Sequence, residues 1–469
     1  MTDSTETRAD SRPAPVDPWP APFAEAPVRG TVRLPGSKSL TARYLVLAAL
    51  ATNACTLRGA LDSRDTRLMR AALTALGARF EDLDDGALRV HPLPVGEPLA
   101  EEVHLDVGLA GTVMRFVPLV AALRPGTVHV DGDPEARVRP MGPILEALRG
   151  LGVDVQEHGE RDRLPLTLTS PPMPAGAPAL ALDASDSSQF LTAALLIGAA
   201  LPGGVHVRHT GQRVPSPEHV RMTLATLSEL GVQAEQSGAA SWHLSPGRPE
   251  GFTVTVEPDL SNAGPFLCAA VVTGGEVSVP DWPATTTQIG GRWREILPGF
   301  GAHVEFLPQS EDARTGTLRV RGGVDDAGQP QVPSPGTVAD TAELAPTVAA
   351  LALLAAEPTA LTGIGHLRGH ETDRLRALTA EAARFGVTVT EGPTALQFPG
   401  TVMATPQAST AHTYHDHRMA TFAAVVGLRV PGMLIQNVAT TAKTMPDFPQ
   451  MWATLVSGEA GAGDEGRGA

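Results

Sequence analysis

Lysine is almost missing from this chain. Of 36 basic residues among 469, only Lys38 and Lys443 are lysines; the rest are arginines. An ammonium is a compact, rotatable point charge and a guanidinium is a planar fork, so the two are not interchangeable. Two lysines kept against so strong a bias mark positions that need an ammonium. Aromatics are scarce too, at 4%, which argues against a surface of stacking platforms for bases. Cysteine occurs twice, at Cys55 and Cys268, in apolar contexts and without C-x-x-C spacing, so both are expected as buried free thiols. No apolar run combines membrane-spanning length with freedom from breakers. The first 35 residues are polar and proline-rich, with no apolar core of a signal peptide. The formal net charge is −15, so nucleic acid and anionic membranes are poor partners, and any cationic site has to be a local pocket. A soluble, cytoplasmic protein is expected.

What is present is a repeat. A loop of small residues running into an Ala/Leu/Val-rich helical stretch recurs six times, about every 75 residues. The loops are Gly36-Ser-Lys-Ser, Gly108-Leu-Ala-Gly-Thr, Asp186-Ser-Ser-Gln, Asp259-Leu-Ser-Asn, Ala339-Asp-Thr-Ala-Glu and His415-Asp-His-Arg. After each apolar helix the period changes from helical to alternating, as in mixed α/β units. Six βαβαββ-like copies fit two globular halves of three copies each. The expected division is residues 36–257 for one half and 23–35 plus 258–457 for the other. Residues 1–22 and 458–469 are expected as disordered arms. If all six helix starts face one cleft, their dipoles make an anion site inside an acidic protein.

The loops carry more than N-caps. The first holds Lys38, Ser39 and Arg43; Asp65 follows in Leu61-Asp-Ser-Arg-Asp65. The second holds Gly111, Thr112 and Arg115, with Arg139 after it; the third holds Ser187, Ser188 and Gln189, with Ser216 and His219 after it. The fifth holds Glu343, then His370, Glu371 and Arg374; the sixth holds Asp416, His417 and Arg418, then Lys443. This is an inventory for holding two anionic substrates and moving protons between them. Plainer readings exist: Ser187/Ser188 as a simple cap pair, Arg374 as a surface partner of Glu371. His366, His370 and Glu371 lack the H-E-x-x-H order, so no metal is expected, and the first loop is not a Walker A sequence because Ser37 separates Gly36 from Lys38. The plain readings do not account for the same phase in successive repeats.

At these residues the sequence resembles the enolpyruvyl transferases, and within them the 5-enolpyruvylshikimate-3-phosphate (EPSP) synthase family. The carrying motifs are Leu34-Pro-Gly-Ser-Lys-Ser, Gly111-Thr-x-x-Arg115, Arg139-Pro140, Asp186-Ser-Ser-Gln-Phe190, Glu371-Thr-Asp-Arg374, Asp416-His-Arg-Met419 and Lys443-Thr-x-Pro-Asp447, in order. The resemblance implies an inside-out α/β fold of two pseudo-threefold domains that close on substrate. It implies a monomer without cofactor, joining phosphoenolpyruvate to shikimate 3-phosphate on the route to chorismate and the aromatic amino acids. Carried over, Lys38, Gly111, Arg115, Arg139, Gln189, Arg374, Arg418 and Lys443 would hold phosphoenolpyruvate. Lys38, Ser39, Arg43, Ser187, Ser188, Gln189, Ser216, Glu343 and His370 would hold the shikimate ester. Glu343, Lys38, Glu371, His417, Lys443 and Asp65 would handle protons and charge.

Some positions depart from the common pattern. Leu109 stands where many members have asparagine, Glu343 where many have aspartate, His370 where lysine is common, His219 where tyrosine is frequent, and Phe116 where proline is common. Glycine at 111, rather than alanine, implies inhibition by glyphosate. The rivals are the sister transferase acting on UDP-N-acetylglucosamine and a non-catalytic anion-binding relative. The segment Gly132 to Met141 lacks the cysteine usual in the first, and a scaffold would have no need of Lys38, Glu343, Glu371, His417 and Lys443 together.

Overall fold

The computed structural model describes residues 16–458, except 215, 239 and 311–312. Five four-stranded sheets share one pattern: a parallel pair followed by two antiparallel strands. In one of them Val103–Asp106 runs parallel to Gly126–Asp131, which pairs antiparallel with Leu166–Ser170, itself paired with Asp154–Glu157. The helices Gly111–Ala121 and Gly142–Gly150 fill the intervals, giving βαβαββ. Alternation explains the strands: Val128 and Val130 are buried while their neighbours are half-exposed.

The helix that starts each unit is apolar nearly all round, so it can only be stable when covered on every side. In Lys38–Ala49 every residue from Leu40 onward is buried, and in Leu260–Thr273 every residue is. Gly111–Ala121 and Gln189–Gly198 pack with the first of these; Ala345–Leu354 and His417–Gly427 pack with the second. Two hydrophobic cores result, one from residues 40–256 and one from residues 21–32 and 260–455. The second helix of a unit is amphipathic instead: Arg64–Ala75 buries Thr66, Met69, Ala72 and Leu73 and turns its arginines outward. Both cysteines are buried and free.

Two units do not own their first strand. The sheet around Cys55–Arg58 takes Thr253–Thr255, and the sheet around Glu276–Pro283 takes Arg29–Thr31. The chain therefore crosses between the cores twice, and the crossings lie side by side. The Ser37 N–H donates to the Glu257 carbonyl (2.8 Å) and the Asp259 N–H to the Pro35 carbonyl (2.9 Å). Gly36 lies between those bonds, where a Cβ would sit 2.0 Å from the Gly59 carbonyl oxygen.

The sixth unit has no final strand pair of its own. Its sheet is Thr410–Ala411, Leu434–Ile435 and, antiparallel to the latter, Trp19–Pro20. This corrects the expectation that residues 16–22 belong to a disordered arm. The Ala21 N–H donates to the Met433 carbonyl (2.9 Å), and the Trp19 ring packs against Phe448 (centroids 6.3 Å apart). The open edge of the Leu434–Ile435 strand and the Phe448 ring hold a segment whose composition alone reads as disorder. Residues 1–15 and 459–469, the rest of both expected arms, lie outside the described residues.

Gly36→Ala forces its methyl group into backbone rather than into a movable side chain. We expect a loss of about 3 kcal/mol in unfolding free energy, measured by urea titration; an unchanged midpoint would show that the crossing has slack.

Candidate active site

The six buried helices point their N-termini at one cavity of about 570 Å³ between the two cores. Side chains cap three of these termini: Ser37 accepts from Leu40 N–H, Asp259 from Asn262 N–H and Asp416 from Arg418 N–H. The helices beginning at Gly111, Gln189 and Ala345 carry no side-chain cap. Uncapped N–H groups with a positive dipole end suit an anion.

The first core contributes most of the small polar groups. Ser39, Ser187, Ser188, Gln189 and Ser216 line the cavity, as do Lys38, Arg43, Asp65, Gly111, Arg115 and Arg139. The Lys38 ammonium lies 3.4 Å from an Asp65 carboxylate oxygen. Arg43 is buried and donates to the Thr223 hydroxyl (3.0 Å), the Ser39 carbonyl (2.8 Å) and the His219 carbonyl (3.0 Å). Burial pushes its pKa down to about 9, against the pull of Glu343, which leaves it charged at neutral pH. Arg115 sits beneath the Gly111 turn, donating to the Gly111 carbonyl (3.4 Å) and the Pro140 carbonyl (3.2 Å), with Phe190 against its face. Arg139 donates to the Leu109 carbonyl (3.3 Å). At Leu109 the backbone, not the side chain, makes this contact.

The second core contributes the titrating groups. Glu343 is held below the usual carboxylate range: burial works to raise it, but His219, Arg418 and Arg374 together prevail. One of its oxygens accepts from the Ser261 hydroxyl (3.4 Å) and lies 3.8 Å from His219 Nε2. The other, Oε2, is buried without a partner among the described residues. Glu371 is also depressed, its burial outweighed by His417, Lys443 and Lys38. Its Oε2 meets the Lys443 ammonium at 3.2 Å and His417 Nδ1 at 3.3 Å. A carboxylate only accepts, so His417 Nδ1 carries the proton. Its Nε2, a bare lone pair in the neutral imidazole, is also buried without a partner among the described residues. Burial keeps the pKa of His417 below its ordinary value, as it does for His219 and, with help from Arg374, for His370.

Motif reading left Asp416 and Asp259 without a role. Asp416 is fully buried and takes Arg374 in a fork, with Nε at 2.7 Å and Nη2 at 3.1 Å. That pair fixes Arg374, whose Nη1 reaches His370 Nδ1 at 3.3 Å; Arg374 is therefore no surface partner of Glu371. Asp259 accepts from Lys38 N–H (3.2 Å) as well as from Asn262 N–H (3.1 Å), so one carboxylate caps a helix in each core. An Asp just before an apolar run was the only available signal for either. Glu371, Asp416 and His417 are close enough together to resemble a metal cluster, but Arg374 occupies both Asp416 oxygens and Lys443 shares Glu371. The Arg418 guanidinium has no hydrogen-bond partner among the described residues and lines the cavity, as does His366.

Buried histidines whose pKa values are depressed set the pH response. The unfolded chain takes up their protons near pH 6.5 while the folded chain still refuses them, so stability falls as pH drops below 6.5. Each such histidine steepens the decline by up to about 1.4 kcal/mol per pH unit. We expect the melting temperature to fall between pH 6.5 and 5, and His370→Gln to shallow that slope; a profile flat from pH 8 to 5 would contradict this account.

Residues 23–452 match the EPSP synthase (3-phosphoshikimate 1-carboxyvinyltransferase) family. A 3-phosphoshikimate 1-carboxyvinyltransferase of Kocuria rhizophila is 51% identical over 94% of this chain and 97% of its own length; one of Bifidobacterium longum is 46% identical over 93% and 98%. The EPSP synthase of Acinetobacter baumannii superposes with a TM-score of 0.75 at 23% identity, covering 93% of this chain and 97% of that one. The enolpyruvyl transferase NikO of Streptomyces tendae gives 0.68 at 18%, covering 92% and 96%. The last two show the two-domain fold alone, whereas the first two share nearly half or more of their residues with this chain. The chain belongs to the EPSP synthase family.

Proposed function

We propose that this enzyme transfers the carboxyvinyl group of phosphoenolpyruvate to the 5-hydroxyl of shikimate 3-phosphate, releasing EPSP and phosphate. The observation that carries this reading is the Glu343 carboxylate. It is depressed by surrounding cations and lines the cavity, with one buried oxygen unpartnered among the described residues. Such an oxygen is a base in search of a hydroxyl.

Ser187, Ser188 and Ser216 receive the phosphate of the shikimate ester, with Ser39 and Arg43 on its carboxylate, His370 nearby and Gln189 between the two substrates. Lys38, Arg139, Arg374, Arg418, Lys443 and the Gly111 N–H hold phosphoenolpyruvate, and Arg115 holds the Gly111 turn. The hydroxyl oxygen attacks C2 of phosphoenolpyruvate and its proton passes to Glu343. C3 gains a proton from the Lys443–Glu371–His417 group, completing a tetrahedral adduct. That adduct then loses a proton from C3 and phosphate from C2, with Lys38, paired to Asp65, meeting the leaving charge. No nucleophilic side chain is needed. No helix among the described residues is long and apolar enough to cross a membrane.

Phosphate release from phosphoenolpyruvate is the direct test. We expect it with shikimate 3-phosphate, not with UDP-N-acetylglucosamine, and lost in Lys38→Ala. Glu343→Gln is expected to lower kcat by at least about 100-fold while shikimate 3-phosphate still binds. Release with neither acceptor would sink the assignment. A second test concerns Gly111, where a Cβ would lie 3.1 Å from an Arg139 nitrogen and 3.2 Å from one of Arg115. Glyphosate is expected to compete with phosphoenolpyruvate in the native enzyme. Gly111→Ala should weaken that inhibition and raise KM for phosphoenolpyruvate; equal inhibition of both forms would refute this.

A further inference from the structure

Tyr414 and His415 are consecutive non-glycine residues in the left-handed region, with φ of 55° and 56°. Bulky side chains adopt that conformation only where the surroundings enforce it, and such strain gathers at functional sites. The enforcing group is Glu381, fully buried on the Arg374–Arg384 helix. Its Oε1 accepts from the Tyr414 hydroxyl (2.7 Å) and from Arg384 Nε (3.3 Å), and its Oε2 accepts from the His412 N–H (3.0 Å). One carboxylate thus grips the loop at two points, two residues apart. On the far side Asn437 Nδ2 donates to His415 Nδ1 (3.3 Å).

The strained turn leaves the His415 carbonyl accepting from the Lys443 ammonium at 2.9 Å. Among the described residues the other partner of that ammonium is Glu371, at 3.2 Å. A lysine on a flexible four-carbon stem needs two fixed acceptors to hold its charge at one point. Relaxing Tyr414 and His415 to ordinary backbone would turn that carbonyl away and leave Lys443 on Glu371 alone.

We propose that Glu381 and Tyr414 are positioning residues for Lys443: they lock a strained turn whose His415 carbonyl aims the ammonium. The proposal rests on the role given above to Lys443. Neither Glu381 nor Tyr414 lines the cavity, so they act through the turn.

Tyr414→Phe keeps the ring and removes one grip. We expect kcat/KM for phosphoenolpyruvate to fall about tenfold, with the dissociation constant for shikimate 3-phosphate unchanged, because most groups assigned to that substrate lie in the other core. A merely structural loss would not divide the two substrates in this way. Should Tyr414→Phe fail to fold, Tyr414→Gly serves: glycine tolerates the positive φ, so the strain goes together with the hydroxyl grip, and kcat/KM for phosphoenolpyruvate should still fall. Wild-type kinetics in whichever variant folds, beside an inactive Lys443→Ala, would overturn the lock and leave the role of Lys443 standing. An active Lys443→Ala would overturn that role, and the proposal with it.

Discussion

Two stretches of chain cross between the cores at one place, and the site exists because of where they cross. Pro35 to Ser37 goes one way and Glu257 to Asp259 the other, joined by backbone hydrogen bonds on both sides of Gly36. Asp259 then caps the first helix of each core, Lys38–Ala49 and Leu260–Thr273. The carboxylate that joins the halves therefore touches the backbone of the lysine around which the cavity is arranged. Gln288 secures the same junction from the second core, donating to Glu257 (2.8 Å) and the Pro258 carbonyl (2.9 Å). Moving one core against the other has to pass through these few bonds.

Helix convergence answers how a chain of net charge −15 holds two anions. Six apolar helices must bury their sides, so each core packs three of them together and leaves their starts at one end. Facing those ends toward each other gathers backbone N–H groups, six arginines and both lysines in one cavity. On the outer surface, pairs such as Arg70–Asp82 and Arg149–Glu157 face solvent and are worth little. Inside, charge is ordered. Asp416 fixes Arg374, Glu371 fixes Lys443 and His417, and burial holds the pKa values of His417, His219 and His370 below the ordinary range. Glu343 Oε2, His417 Nε2 and His366 Nε2 line the cavity without a hydrogen-bond partner among the described residues.

The motif residues were legible because each stands at the same phase of a repeat: Lys38, Gly111, Gln189, Glu343 and His417 all sit at the start of a buried helix. The groups that hold them were not. Thr223 and Thr192 share Arg43 from 180 and 149 residues away, and Glu381 reads in sequence as one more charge on an amphipathic helix. The strand Trp19–Pro20 was misread for a related reason. Two residues in a proline-rich stretch carry no periodicity, and their partner at Leu434–Ile435 lies at the other end of the chain.

Periodicity and residue choice alone settle that six α/β units follow one another along this chain and that their apolar helices are buried. Such local properties follow from side-chain size, polarity and backbone preference. Folding in space settles the rest: which strand completes which sheet, which carboxylate neutralises which cation, and which buried atoms stay unpaired. Those depend on distances between residues hundreds of positions apart, and no local pattern encodes them.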